Sequence, residues 1–381
     1  MKESIRIKNL GPIKDVYIDD IKRMTVFVGC SGSGKSTIMK VLALFQYIYK
    51  RMSIRSYLYY SNITKSPFKC NFKSYIKQNG LEDFIRPESV VVYQCGNCVI
   101  KYENGTLKGT TKKIDKEELS LEKMSYISDK RSVIANLSDG KLSMRDKGAF
   151  YLDQTYSDYK RAVDEISSFD MEYLGIRWFQ KKTNSGRREF IQPVDGRDNF
   201  TIGFKNASSG TQTIVPLNLI VEYFSQKYDL VKSMNEMIFS YVVDSDMIKT
   251  FRAIGNIGDI KNKRIRLFIE EPELSLYPSH QINLLNFLID RSFVSNRNGC
   301  SMSLMIATHS PYIINYLNLL MKAYDKDLKI ENASIAYEDL GVYLVEDGEI
   351  QDLKIKNAHL VNTDVLSEDI EKIYEEYQKL G

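Results

Sequence analysis

The stretch Met24-Thr25-Val26-Phe27-Val28-Gly29-Cys30-Ser31-Gly32-Ser33-Gly34-Lys35-Ser36-Thr37 decides the fold. Residues 24–28 form an apolar run of strand length, as expected for a strand covered on both faces. Residues 29–37 match the pattern G-x-x-x-x-G-K-[ST] in full, and a helical segment follows from Ser36 to about Tyr49. Strand before and helix after is the setting in which this pattern cradles phosphate. The glycines let the backbone curl so that successive N–H groups point inward, and the positive end of the helix reinforces them. Lys35 then reaches the terminal phosphates as a point charge, and the Ser36 hydroxyl is suited to Mg²⁺.

Two further segments repeat the arrangement of an apolar strand with chemistry at its tip. Arg266-Leu267-Phe268-Ile269 runs into Glu270-Glu271-Pro272-Glu273. One carboxylate there can hold a metal through its water shell and the next can polarise an in-line water. Taken alone, the run is more simply a solvated acidic turn. Met305-Ile306-Ala307-Thr308 ends in His309, one of 3 histidines, and an imidazole so placed can bond a γ-phosphate oxygen. A fourth segment, Asn206-Ala207-Ser208-Ser209-Gly210-Thr211-Gln212, precedes a helix carrying Ile214, Leu217, Ile220, Val221 and Phe224 at helical spacing. Small hydroxyl residues and glycine make an anion-binding tip, but helix capping explains them equally well and more simply.

The rest of the chain is organised around these points. Ser4–Lys8 alternates as a strand, Gly11-Pro12 marks a turn, and Val16–Ile18 starts a second strand. Residues 89–102, with turns at Gly96-Asn97 and Asn104-Gly105, read as an antiparallel meander. Residues 151–180 read as helical and Phe200–Phe204 as a strand. Residues 225–262 read as an insertion or lid, and Val342–Val345 with Asp347-Gly348 as a hairpin before a last amphipathic helix, Asp364–Leu380. The expected layout is one domain over 1–381. Within it lie a β-meander and helical insertion at 50–150, a helical lobe at 151–262 and the closing part of the core at 263–381.

Composition bounds the setting. Hydrophobic residues are 43% and charged residues 27%, which excludes wholesale disorder. The net charge of +4 permits nucleic-acid contact without demanding it. No apolar run approaches the ~20 residues of a membrane helix. The five cysteines are scattered and odd in number, as in reduced cytoplasmic protein. Cys95-Gly96-Asn97-Cys98 is a single C-x-x-C, better explained by the necks of a hairpin than by zinc. The tyrosine-rich helix from Tyr47 to Tyr60 carries Lys50, Arg51 and Arg55, and is read as a solvated face with core aromatics ahead of a nucleic-acid surface.

In this order the four segments resemble the ABC-type ATPase superfamily, within its bacterial AAA-family branch related to SMC-type repair ATPases and overcoming-lysogenisation-defect (OLD) nucleases. Ile7-Lys8-Asn9-Leu10-Gly11-Pro12-Ile13-Lys14 is similar to that branch's opening hairpin, and Ala207–Gln212 to its signature sequence. Glu270–Pro278 resembles its Walker B and D-loop, and Thr308–Tyr312 its switch-histidine loop. The resemblance implies an α/β P-loop domain of the ABC type with an antiparallel β subdomain and a helical insertion. It implies ATP and Mg²⁺ bound by Gly29, Cys30, Ser31, Gly32, Ser33, Gly34, Lys35, Ser36 and Thr37, and Ser208, Ser209 and Gly210 of one protomer closing over another's γ-phosphate. Ser36 and Glu270 would hold the metal, with Glu271, His309 and Lys35 as catalytic residues. Glu270 stands where aspartate is usual, so metal placement and turnover are expected to change. No glutamine loop is evident, since Gln94 falls in the meander. Tyr126–Ser132 resembles a segment ending in arginine, which would make Arg131 a nucleotide or interface residue.

The function implied is ATP hydrolysis that drives a homodimer switch. The branch includes anti-phage defence ATPases paired with effectors. The chain ends about seventy residues beyond His309, less than a fused nuclease domain needs, so a separately encoded effector such as a nuclease is expected. The alternative is a DNA-repair or chromosome-handling ATPase, for which the expected long coiled coil is missing. A membrane-transporter subunit fits least, because the Ser-Ser-Gly-Thr-Gln form and the Glu-Pro-Glu run depart from it.

Overall fold

The computed structural model describes residues 1–64, 68, 70–137, 150–183, 186–194, 200–244, 247 and 250–380, with Asp244 and residues 367–371 described by backbone alone. Parts of the expected insertions at 50–150 and 151–262 therefore lie outside the described residues. So does Ile370's side chain.

Alternation makes the first two elements. In β1 (Glu3–Leu10) the apolar Ile5, Ile7 and Leu10 are buried, and β1 folds back on β2 (Ile13–Ile18) with Ile5 opposite Ile18. All of β3 (Met24–Val28) is buried, as its apolar run requires. Helix α1 (Lys35–Tyr60) runs 26 residues, so the helix expected to Tyr49 and the tyrosine-rich helix are one. Nothing between Lys35 and Tyr60 breaks it, for no glycine or proline occurs there. It is buried nearly all round, which is what a helix apolar on every side must be. Arg51 lies against the rings of Tyr47, Phe68 and Tyr75, and Arg55 donates to the carbonyls of Thr110 and Lys112. Both arginines are half-buried and engaged with this chain's own rings and carbonyls, and Tyr59 is exposed.

After α2 (Phe72–Gln78) comes the expected meander: β4 (Ile85–Cys95), β5 (Cys98–Glu103) and β6 (Thr106–Lys108). Cys95 pairs with Cys98 across the Gly96-Asn97 turn. Burial pushes the two thiols up to about 12 and about 11, so both are protonated at neutral pH. Strand β7 (Ser120–Ile127), α3 (Ile134–Leu137) and α4 (Phe150–Glu165) follow. The helix expected over 151–180 stops at Glu165. Beyond it β8 (Ser168–Met171), β9 (Ile176–Thr183), β10 (Gly186–Pro193) and the short β11 (Ile202–Gly203) form a separate four-stranded antiparallel sheet. Gly175 turns there at φ 66°, and Trp178, facing inward opposite Ile191, sets the two-residue period that a helical reading of this stretch overrides.

The second half supplies α5 (Ser209–Glu222), α6 (Leu230–Asp244), β12 (Asn262–Glu270), α7 (Pro278–Ile289), β13 (Ser301–Thr308), α8 (Pro311–Tyr324), β14 (Leu340–Glu346), β15 (Glu349–Asp352) and α9 (Asp364–Lys379). The large sheet has eleven strands in the order β6-β5-β4-β1-β2-β15-β14-β3-β13-β12-β7. Strands β14, β3, β13, β12 and β7 are parallel and form the core, while β6 to β2 form an antiparallel limb. The β14–β15 hairpin joins the two. Among the described residues, no helix is long and apolar enough to cross a membrane.

The sheet curls. Five strands separate β1 from β12, yet Glu3 of β1 accepts from Arg264 and Arg266 of β12, from Tyr93 of β4 and from Gln46 of α1. Glu122 of β7 completes a buried quartet through Arg266. The limb and the core thus close around α1.

Candidate functional site

The parallel strands place their C-terminal ends side by side, where open α/β sheets collect their functional loops. From β3 the chain enters the glycine-rich loop. Gly29, Gly32 and Gly34 have φ of 149°, 81° and 111°. A side chain on Gly29 would strike the Val345 carbonyl, and one on Gly34 would come within 2.6 Å of Ile13. The loop is therefore braced from outside by the β1–β2 hairpin and by β14. Lys35 turns its ammonium inward and donates to the carbonyls of Gly29 and Cys30, each at 2.8 Å. It is 5% exposed, and burial lowers its pKa while the Glu271 carboxylate pulls the other way. Ser33 Oγ is buried without a partner. Cys30 and Ser31 are exposed, Ser36 is half-buried and Thr37 is buried in the first turn of α1. A glycine-rich turn at a helix start with an inward ammonium and an unsatisfied hydroxyl suits a polyphosphate.

At the tip of β12 the two adjacent carboxylates part company. Glu270 is buried and its Oε1 accepts the Tyr126 hydroxyl at 2.8 Å. Glu271 leaves the strand in the left-handed region at φ 43°, held by its N–H to the Ala307 carbonyl at 2.8 Å. That turn swings its carboxylate towards His309, whose Nε2 lies 3.5 Å from Oε1, with both side chains about a third exposed at 33% and 36%. The backbone N–H of His309 donates to Glu273 Oε1 at 2.6 Å, while Glu273 Oε2 is buried without a partner. The expected residues Lys35, Glu270, Glu271 and His309 are thereby brought to one edge of the core. Glu273 and Tyr126 join them. Nothing in the sequence separated Glu273 from its acidic neighbours, and Tyr126 gave no signal because its partner lies 144 residues away.

These oxygens suit a small hard cation. Among the described residues, no three His, Cys, Asp or Glu side chains converge on a closed metal cage. The donor set instead matches Mg²⁺ held by one or two protein oxygens together with phosphate and water.

Ser208 and its neighbours stand elsewhere. Ser208 accepts the Thr211 N–H at 3.3 Å and caps α5, so the capping chemistry is present. Ser208 and Ser209 are exposed. Gly210 lies against the loop after β12, where a side chain would come within 2.7 Å of the Ser275 carbonyl. Among the described contacts none joins Ser208–Gly210 to the glycine-rich loop of the same chain. Arg131, expected at a nucleotide or an interface, is 0% exposed, and its hydrogen bonds go to backbone carbonyls of this chain. It is an interior residue.

A glycine-rich loop opening a buried helix, with carboxylates and a histidine on the tips of the neighbouring parallel strands, is the arrangement of an α/β P-loop nucleotide-binding fold. The chain belongs to the AAA ATPase domain family, whose model matches residues 1–123 and 60–314. It is similar to the SMC head domain from Thermotoga maritima, at 11% identity over 93% of this chain and 100% of that one, with a TM-score of 0.38. It is similar to the SmcHead bound to the C-winged helix domain of ScpA at 11% identity, 93% and 98% coverage and TM-score 0.38. The recombination mediator protein RecF, as RecF-ATPrS in the RecFOR pathway, is similar at 10% identity, 92% and 98% coverage and TM-score 0.35. No curated protein sequence matches the chain.

Proposed function

We propose that the protein is an ATP-hydrolysing switch in which two copies close over two ATP molecules, and that the closed state controls a separately encoded effector, such as a nuclease, in cytoplasmic anti-phage defence. The observation that carries the dimer is the split of the site. Lys35, Glu271, Glu273 and His309 gather at the strand tips, while Ser208 and Ser209 are exposed and their tip, against Ser275, makes no described contact with the glycine-rich loop. A second copy supplies that tip. Tyr277 and Tyr312, 72% and 50% exposed, follow the same strand ends and suit a protein interface.

In this reading the N–H groups of Gly29 to Thr37 hold the phosphates, and Lys35 leaves its two carbonyls for the terminal phosphate. Ser36 and Glu270 would hold Mg²⁺, whose charge would offset that of the phosphates. Glu271 orients the attacking water and His309 reports the γ-phosphate. The effector and its defence setting are supported by the likeness of the four motifs to the OLD branch. The test is complementation. Lys35→Ala and Ser209→Arg each abolish phosphate release alone, because each ruins both shared sites. Mixed, they regain part of the wild-type rate, because one site of the mixed dimer is intact. A mixture as inactive as its components refutes the shared site.

A second reading, a DNA-handling ATPase, is favoured by one feature. The β9–β10 hairpin carries Arg177, Lys181, Lys182, Arg187 and Arg188, and Phe179 stacks on Phe190 at 5.6 Å beside Lys181. Basic residues around paired rings suit nucleic acid. On this reading duplex or single-stranded DNA raises the hydrolysis rate in a salt-dependent way and Lys181→Glu with Lys182→Glu removes the effect. An ATPase indifferent to DNA leaves only the effector reading.

A further inference from the structure

Arg131 is 0% exposed and donates five hydrogen bonds to backbone carbonyls, yet it takes no part in holding phosphate or metal in the reading above. It follows β7, on a short turn capped by Ser128, whose hydroxyl accepts the Lys130 N–H. Because β7 runs parallel beside β12, the chain leaving β7 passes the tip where Glu270 and Glu271 sit. The guanidinium fans out from there. Its Nε donates to the Thr213 carbonyl of α5 at 3.1 Å, one terminal nitrogen to Ser128 and Glu270 at 3.2 and 2.7 Å, and the other to Glu271 at 2.6 Å and Pro272 at 3.5 Å. All of these acceptors are backbone carbonyls. Burial draws the pKa down to about 10, with Glu273, Asp129, Glu271 and Glu270 acting against it, so the group is cationic at neutral pH.

The three elements it joins have different tasks. The 270–272 segment holds Glu271 in its left-handed turn. Thr213 lies in the second turn of α5, and its hydroxyl donates to the Ser209 carbonyl at 2.8 Å. Through Thr213 the guanidinium is therefore one residue from the exposed tip of that helix. The same two elements touch again where Gly210 meets Ser275. Lysine cannot reproduce this, since a point-like ammonium has three donors and no planar fork.

We infer that Arg131 is a positioning residue that fixes the Glu271 turn and ties it rigidly to the N-terminal tip of α5, so that the hydrolytic carboxylate of one site and the tip offered to the other site move as one body. This rests on the switch reading above. Arg131 touches neither Lys35 nor the glycine-rich loop among the described contacts. Nucleotide binding and hydrolysis are thus expected to part when it is changed.

The experiment compares wild type, Arg131→Lys and Arg131→Met by binding of a fluorescent ATP analogue and by steady-state phosphate release. The expected result is analogue affinity within about threefold of wild type and kcat lowered at least ~100-fold, with KM for ATP little changed and Lys no better than Met. A merely electrostatic role would be rescued by Lys. Wild-type kcat in Arg131→Lys overturns the inference, and so does loss of analogue binding in step with kcat in a folded variant. If neither variant folds, hydrogen exchange on Ser209→Arg, in which the second copy is blocked, decides. Adding ATP then changes exchange at residues 211–216 together with 270–274, and a change confined to 29–37 overturns the coupling. A wild type that neither binds nor hydrolyses ATP sinks the switch reading itself, whereas an active wild type with an active Arg131→Lys sinks only this inference.

Discussion

Single residues show where side-chain chemistry outran its sequence context and where it did not. The positions of Glu271 and His309 were legible because each follows an apolar run, where a charged or titratable group has a strand tip as its natural place, and that of Lys35 because it closes the G-x-x-x-x-G-K pattern at the start of α1. Arg131 was not legible. Ser128-Asp129-Lys130-Arg131-Ser132 is a polar run that any composition rule puts on the surface, and only the carbonyls converging from 82 to 141 residues away make its burial affordable. Glu270 is intermediate. Its place at the end of β12 could be read, but its buried hydrogen bond to Tyr126 could not, and under the proposed function that bond would compete with a metal for the carboxylate. Tyr126 keeps its proton because burial, aided by the Glu270 charge, raises its pKa well above the usual phenol range.

Elements were recovered where one periodicity ran uninterrupted and lost where two met. The β1–β2 hairpin, the meander and the β14–β15 hairpin follow alternation broken by glycine turns. Of the four-stranded sheet only β11 was read, within the strand expected at Phe200–Phe204, and β8 to β10 were missed because α4 ends at Glu165 without a glycine or proline to announce it. Its interior is also partly polar, with Glu189 buried beneath Trp178 and Tyr159 and bonded to both. A buried polar network of this kind carries no hydrophobic stripe. The quartet that ties β1 to β12 behaves similarly, and it yields a prediction. Burial alone would raise the Glu3 pKa, but Arg266 and Arg264 outweigh it and hold the carboxyl at about 2 against the ordinary 4.5. The folded-state pKa is depressed, so the stabilisation is fully present above about pH 4.5 and is lost as pH falls towards about 2. Glu3→Gln is expected to cost roughly 3–5 kcal/mol at neutral pH by leaving two arginines to one carboxylate. The gap between variant and wild type in urea midpoint should narrow steadily below about pH 4.5. Equal midpoints at neutral pH contradict the quartet's role.

The whole molecule depends on an order of strands that its sequence does not announce. Strand β15, close to the C-terminus, inserts between β2 and β14 and meets β2 at one residue pair, Glu349 with Asp15. The hairpin that braces Gly34 is thereby fixed to the core by the last strands of the large sheet, so the phosphate loop is complete only when both ends of the chain are folded. That arrangement leaves Glu271 and His309, each about a third exposed, at the strand tips beside the loop, while Gly210 of the Ser208–Gly210 tip lies against Ser275. The account is most directly tested by the molecular mass of Glu271→Gln in solution, with and without ATP and Mg²⁺. The predicted result is a monomer without nucleotide that doubles in mass when ATP is added, with Lys35→Ala remaining single under both conditions. A Glu271→Gln chain that binds ATP and keeps its single-copy mass contradicts it.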